Sequence, residues 1–211
     1  MKNNKAFLLS DHLKGFSAVN LDGAMTAATL KATLTRYGPV QQTGLDSFNE
    51  AIKYLLPIKS FTTRFVILGK NDWSFILCDM RDQCCYVDAY AVSRAHKCKA
   101  MGVVLQPPQR REIHVFDGGE KVRQIESLLD GDRWYFREDG MIQSFEEPAE
   151  YKRKSKNTWL SPETVNRYFE RYTGLKVPEW KNFASSEIIG LERSLRDLRV
   201  KVVYFPTLVD L

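Results

Sequence analysis

The sequence predicts an α+β protein with a mixed or antiparallel sheet. It comprises an N-terminal β-α-β-α-β-β segment, a central antiparallel meander at about 112–145, and C-terminal helices. Three observations support this class: strands alternating with capped helices in the first third, repeated Asp-Gly turns in the middle, and a helix start after them. The chain has 211 residues, of which 44% are hydrophobic, so it is long enough to bury a core.

The N-terminal elements are delimited by clear helix ends. Gly38-Pro39 stops the first helix, because glycine suits the position after a helix and proline cannot continue one. Ser47 and Glu50 have the spacing of a capping box. The predicted order is a strand at Phe16–Val19, a helix at Asp22–Tyr37, a strand at Val40–Thr43, a helix at Ser47–Leu56, and strands at Phe61–Leu68 and Trp73–Met80.

The next elements connect this segment to the meander. The strand at Trp73–Met80 is almost continuously apolar, so it is expected to lie centrally in a sheet that is covered on both faces. Tyr86–His96 has helical spacing, and a strand is predicted at Met101–Leu105 before the chain break at Pro107-Pro108.

Turn residues define the meander over Glu112–Phe145. Its strand-like segments are separated at Asp117-Gly118-Gly119, Asp130-Gly131-Asp132 and Glu138-Asp139-Gly140. Glycine supplies the positive φ that a tight hairpin needs, and aspartate bonds its own backbone there.

Helices dominate the predicted C-terminal part. Ser161-Pro162-Glu163 opens a helix that ends near Tyr172. The remaining predictions are a partly helical Glu147–Lys156, a helical Ser185–Arg199 and a strand at Val200–Phe205. A single compact domain over 1–211 is expected, and the alternative is a division into 1–70 and 71–211.

Composition limits the location and the partners. The longest apolar runs are far shorter than the roughly 20 residues that cross a bilayer, so no membrane association is expected. The apolar start of the chain ends at Ser10-Asp11 without a cleavage site, which favours the cytoplasm and four free thiols. Residues 1–110 carry 14 Lys and Arg against 8 Asp and Glu, and this basic half favours an acidic partner.

Motifs for common chemistry are missing. The sequence has no P-loop, G-x-G-x-x-G, H-E-x-x-H or G-x-S-x-G motif, so no cofactor and no enzyme activity is predicted. The cysteines at 78, 84, 85 and 98, with His96, have the wrong spacing for a zinc knuckle, so no metal site is predicted. A small active site built from Asp79, Asp82, Asp88, Ser93 and His96 remains a further alternative.

The strongest candidate surface lies in the meander. Along a strand, Trp134 and Phe136 would point to one side, while Arg133, Tyr135 and Arg137 would point to the other. With Arg123 placed beside it, this second side would be an Arg/Tyr surface suited to protein recognition. The site residues predicted for a protein partner are therefore Arg123, Arg133, Tyr135 and Arg137. The same surface could stack bases and bind phosphates, so nucleic acid is the alternative partner.

A basic run, Tyr151-Lys152-Arg153-Lys154-Ser155-Lys156, could also contact nucleic acid. Its acidic neighbours Glu146, Glu147 and Glu150 favour a solvated, salt-bridged helical face instead.

A set of features between residues 73 and 180 resembles an uncharacterised bacterial α+β family of the kind found among toxin-neutralising immunity proteins. The features are Trp73, Cys98-Lys99-Ala100, Val122-Arg123, Asp130, Arg133-Trp134, Gly140, Phe145-Glu146, Tyr151, Tyr168 and Gly174-Leu175. The resemblance implies a cytoplasmic protein that occludes the active site of a cognate toxin. Immunity proteins against nucleases are commonly acidic, whereas this chain has a net charge of +5. The expected partner is therefore a toxin with an acidic rim, such as a nucleotide-modifying or ADP-ribosylating enzyme.

Overall fold

The computed structural model describes residues 15–55, 62–70, 72–78, 86–106, 109–149, 160–174 and 188–194. These residues form nine strands and four α-helices. The strands are β1 (Gly15–Val19), β2 (Val40–Gly44), β3 (Thr62–Lys70), β4 (Trp73–Cys78), β5 (Lys99–Gln106), β6 (Arg110–Asp117), β7 (Glu120–Asp130), β8 (Arg133–Gly140) and β9 (Ile188–Ser194). The helices are α1 (Gly23–Thr35), α2 (Phe48–Leu55), α3 (Tyr86–His96) and α4 (Pro162–Thr173).

The nine strands form one sheet in the order β2-β9-β3-β4-β1-β5-β6-β7-β8. Every neighbouring pair is antiparallel. The predicted α+β class with an antiparallel sheet is confirmed. The strand beginning at Trp73 lies between β3 and β1, so its central position is also confirmed.

Alternating side chains place a hydrophobic core on each face of the sheet. Along β3, Val66 and Leu68 pack on one face, and Phe65 and Ile67 pack on the other. The first face is covered by α2 and α4, and the second by α1 and α3. The sheet is therefore the middle layer between two pairs of helices.

Side-chain caps fix the helix ends. The carboxylate of Asp22 accepts a hydrogen bond from the backbone N–H of Met25 at 2.9 Å, which begins α1. Ser47 accepts from the backbone N–H of Glu50 at 3.2 Å, as a capping box requires. The Glu50 carboxylate reaches back to the N–H of Asp46 at 2.6 Å, one residue before the expected one. Glu50 Oε2 therefore accepts a hydrogen bond from the backbone N–H two residues ahead of α2.

The helix predicted over Ser185–Arg199 is wrong where the structure describes it, because Ile188–Ser194 is strand β9. This strand pairs with β2 on one side and with β3 on the other. Its partners lie more than a hundred residues earlier in the chain, so local spacing does not reveal the pairing. The predictions for Val200–Phe205 and for most of Glu147–Lys156 lie outside the described residues.

The meander is formed by β6, β7 and β8, and β5 extends it by one strand. Turns at Gly118-Gly119 and Gly131-Asp132 are confirmed. The third predicted turn, at Glu138-Asp139-Gly140, is wrong, because β8 continues to Gly140 and pairs there with Arg123. Gly140 has φ +82°, and a Cβ there would lie 2.1 Å from the carbonyl oxygen of Val122. Glycine is thus required where β8 ends against β7.

Strands from residues 1–70 and strands from residues 71–211 share one sheet. β9 lies between β2 and β3, and β1 lies between β4 and β5. The division into domains stays a prediction. No helix among the described residues is long and apolar enough to cross a bilayer.

The expectation of four free thiols is wrong for Cys78, which is disulfide-bonded, whereas Cys98 is a free thiol.

Candidate functional site

The predicted alternation along β8 is present in the structure. Arg133, Tyr135 and Arg137 are exposed, whereas Trp134 and Phe136 are half-buried on the opposite side. Phe136 packs against the core that α2 and α4 cover. We call the side of β6, β7 and β8 that carries Tyr135 the outer face.

Arg123 does not belong to the outer face, so its predicted place in the binding surface is wrong. The pairing of β7 with β8 sets Arg123 opposite Gly140, on the side of Trp134 and Phe136. Only 2% of Arg123 is exposed. The two-residue loop at Gly131-Asp132 could have revealed this, since such a loop fixes the hairpin register.

Buried Arg123 instead holds the end of β8 and the segment after it. Its Nε lies 3.0 Å and 3.2 Å from the two carboxylate oxygens of Glu146, and a terminal nitrogen lies 2.8 Å from Glu146 Oε2. The same terminal nitrogen, Nη2, lies 2.6 Å from Glu138 Oε2. The other terminal nitrogen, Nη1, donates to the Gly140 carbonyl at 2.8 Å. The Glu146 side chain is fully buried, so the pair is charge-compensated inside the protein.

Charged side chains line the outer face on β6. Glu112 is 1% exposed, and its carboxylate accepts a hydrogen bond from Arg110 Nε. Its other oxygen lies 2.8 Å from His114 Nε2. The His114 ring stacks on Tyr86 of α3, with 4.1 Å between the ring centroids. Helix α3 therefore covers the β6 part of the outer face.

Two carboxylates lie opposite each other at the centre of this charged set. The register pairs Glu112 with Glu126, and Glu126 with Arg137. Burial opposes ionisation of Glu112, but hydrogen bonds from His114 and Arg110 lower its pKa to about 2. Burial, followed by the charge of Glu112, raises the pKa of Glu126 above its usual value. Sequence reasoning missed this pair, because its members are brought together only by strand register.

Strand β8, the last strand of the described sheet, adjoins this charged set. Among the strands that the structure describes, β8 pairs only with β7. The exposed fractions are 50% for Tyr135, 79% for Met141 and 56% for Ile142. Three large hydrophobic side chains are thus exposed on β8 or directly after it. An edge strand with exposed apolar side chains is available for pairing with another chain.

The acidic cluster predicted as an alternative active site is only partly described. Asp79 and Asp82 lie outside the described residues. Asp88 and His96 lie in the first and last turns of α3, about 12 Å apart along the axis at the usual rise per residue. Burial raises the pKa of Asp88 to about 7, against the charge of Arg193. Two turns of α3 therefore separate the backbone positions of Asp88 and His96.

The remaining candidate groups can be placed only in part. Ser93 donates to the carbonyl of Cys98 at 2.6 Å and accepts from the N–H of Gly119 at 3.0 Å, so it fixes a turn. Within the described ranges, no group of three or more His, Cys, Asp or Glu side chains could hold a metal ion. The basic run at 151–156 lies outside those ranges.

No family model, no curated protein and no solved structure matches the chain. The resemblance to immunity proteins therefore stays a prediction.

Proposed function

We propose that this chain is a protein-binding module that contacts its partner through the outer face of β8 and the residues after it. In its most concrete form, it is an immunity protein that neutralises a cognate toxin by covering the toxin's active site. The observation that carries the proposal is the position of β8 at the edge of the described sheet, with Tyr135, Met141 and Ile142 exposed on or beside it.

The side chains of β8 suit a protein surface. Exposed arginine and tyrosine are favoured at binding hot spots, because each combines apolar contact area with hydrogen-bonding groups. Arg133 and Arg137 flank Tyr135 on the same side of the strand. Two guanidinium groups around a phenol favour a partner with carboxylates at its rim. The backbone of β8 can also pair with an extended segment of that partner.

The geometry favours a protein partner over nucleic acid. Of the aromatic side chains on β6, β7 and β8, Tyr135 alone is exposed. Sheet-based RNA binders stack two or three bases on their aromatic side chains. The outer face offers one such platform, and Glu126 lies directly opposite Arg137 on it.

The test is capture of the partner from the native cell with the tagged chain, followed by affinity measurements on the purified pair. Tyr135→Ala and Arg133→Ala should each weaken a one-to-one complex about 30-fold or more, the size of a hot-spot loss. Both variants should keep the thermal stability of the unaltered chain, because the two side chains are exposed.

A matched control is Met25→Ala, which truncates an exposed side chain on α1 at 46% exposure. It should leave affinity unchanged. Full affinity in both β8 variants would refute this surface. Binding to nucleic acid that weakens steeply with salt would favour the alternative partner instead.

A further inference from the structure

A pocket of about 540 Å³ opens at one end of the sheet, on the side that α4 covers. Its floor comes from strand ends that meet there: Asn20 after β1, Trp73 at the start of β4, Lys99 at the start of β5 and Asp117 at the end of β6. Pockets that bind small molecules typically enclose about 300–1,000 Å³. The size therefore fits a small organic ligand.

Aromatic rings form one wall of this pocket. Tyr172 of α4 packs edge-on against Trp73 and against Phe145, with centroid distances of 5.5 Å in both pairs. Its hydroxyl lies 3.5 Å from the carbonyl oxygen of Ala100. Burial, followed by the charges of Asp117 and Cys98, raises the pKa of Tyr172, so the hydroxyl stays protonated. The wall is apolar and fixed, and a flat ring can pack on it.

The rest of the lining consists of cations, hydrogen-bonding groups and the apolar side chains of Val115, Phe116 and Val122. Lys99 and Arg171 carry positive charge, Asp117 carries the one negative charge, and Gln143 and Ser144 are neutral. Arg171 is held in place by the carbonyl of Phe145 at 3.2 Å and by Glu147 at 2.5 Å. Glu147, which is not part of the lining, occupies only one edge of the Arg171 guanidinium. The Lys99 ammonium and the further N–H donors of Arg171 favour an anionic group on the ligand. The carboxylate of Asp117 favours a ligand that also carries hydrogen-bond donors.

The segment that closes the pocket is fixed from inside. Gln143 donates its backbone N–H to Glu146 Oε1 at 2.9 Å, and Glu146 is bound by Arg123. Residues 143–145 are therefore anchored to β7 without a ligand. A wall that is already in place lowers the ordering cost of binding.

We propose that this pocket binds a small anion that carries a planar ring and hydrogen-bond donors, a class to which nucleoside monophosphates belong. The ring packs beside Trp73 and Tyr172, Lys99 and Arg171 bind the anionic group, and Asp117 accepts from a hydroxyl or amino group. This site is separate from the outer face of β8 and does not depend on the protein-binding function.

The test uses three probes with the full chain in isothermal titration calorimetry. Adenosine monophosphate has the ring, the donors and the anion, adenosine lacks the anion, and inorganic phosphate lacks the ring. Adenosine monophosphate should bind at least tenfold more tightly than either of the other two, since each lacks one set of contacts. Equal affinity for adenosine monophosphate and phosphate would overturn the role of the ring wall.

Substitutions locate the binding. Lys99→Gln should lower the affinity for adenosine monophosphate about tenfold, the loss expected for one charge-assisted contact. Lys99→Arg should keep most of the affinity of the unaltered chain. The exposed Lys53 of α2 provides a matched control, and Lys53→Gln should bind like the unaltered chain. The absence of binding at millimolar adenosine monophosphate, or equal affinity in the Lys99→Gln variant, would overturn the proposal.

Discussion

Replacing Arg123 with methionine should be among the most destabilising changes on β7. The substitution keeps much of the side-chain volume but leaves the carboxylate of Glu146 buried without its cation. Breaking a buried pair by removing one partner costs about 3–5 kcal/mol. At an m-value of about 2 kcal/mol/M in urea, the midpoint of unfolding should fall by roughly 2 M.

A double-mutant cycle separates the ion pair from simple loss of packing. Arg123→Met combined with Glu146→Leu replaces both charges by apolar groups, which is often close to neutral for a buried pair. The double variant should therefore be more stable than Arg123→Met alone. Glu138→Gln serves as the control, because the Glu138 side chain is 46% exposed and its loss should cost less than about 1 kcal/mol.

Hydrogen exchange gives an independent measurement of the same contact. Arg123 binds the Gly140 carbonyl directly and anchors Gln143 through Glu146. In Arg123→Met, amide protection should therefore fall first between residues 140 and 146. A cost below about 1 kcal/mol for Arg123→Met would refute the structural role of this ion pair. So would free-energy costs of the two single substitutions that sum to the cost of the double substitution.

Two further stability predictions follow from the sheet. The pKa of Glu112 falls from 4.5 to about 2 on folding, so Glu112 contributes stability that is present above about pH 4.5 and is lost as pH falls toward 2. Glu112→Gln should cost on the order of 2 kcal/mol in urea unfolding at pH 7, and the difference should shrink at pH 3; a cost that stays constant with pH would contradict this. Gly140→Ala should cost about 1–3 kcal/mol, because a Cβ would meet the carbonyl of Val122 at a positive φ. Gly131→Ala is its control, since φ is also positive there but no atom lies within 4 Å of the added Cβ; equal losses would show that the close approach has no effect.

Local patterns were enough to predict the fold class and one side of the candidate site. Period-two alternation placed Arg133, Tyr135 and Arg137 on one side of β8, and Asp-Gly turns identified two hairpins. Both depend on a few consecutive residues. For the same reason, the helix that opens at Ser161 was predictable from its cap, and the first helix from the stop at Gly38-Pro39.

Features that depend on long-range pairing were not predicted. Strand β9 gains its hydrogen bonds from β2 and β3, and the local sequence Ile188–Ser194 carries charges that also fit a helix. Arg123 and Glu146 are 23 residues apart, and the pocket draws its lining from strand ends spread over the chain. Their chemistry appears only when the register of the sheet is known.

Hydrogen exchange on the complex tests the central claim, protein recognition through β8, most directly. The chain bound to its captured partner should show increased protection of the backbone amides across Arg133–Gly140 and of Met141 and Ile142. The amides of the opposite edge strand, β2, should exchange as they do in the free chain. Protection confined to other elements, with β8 unchanged, would contradict the account.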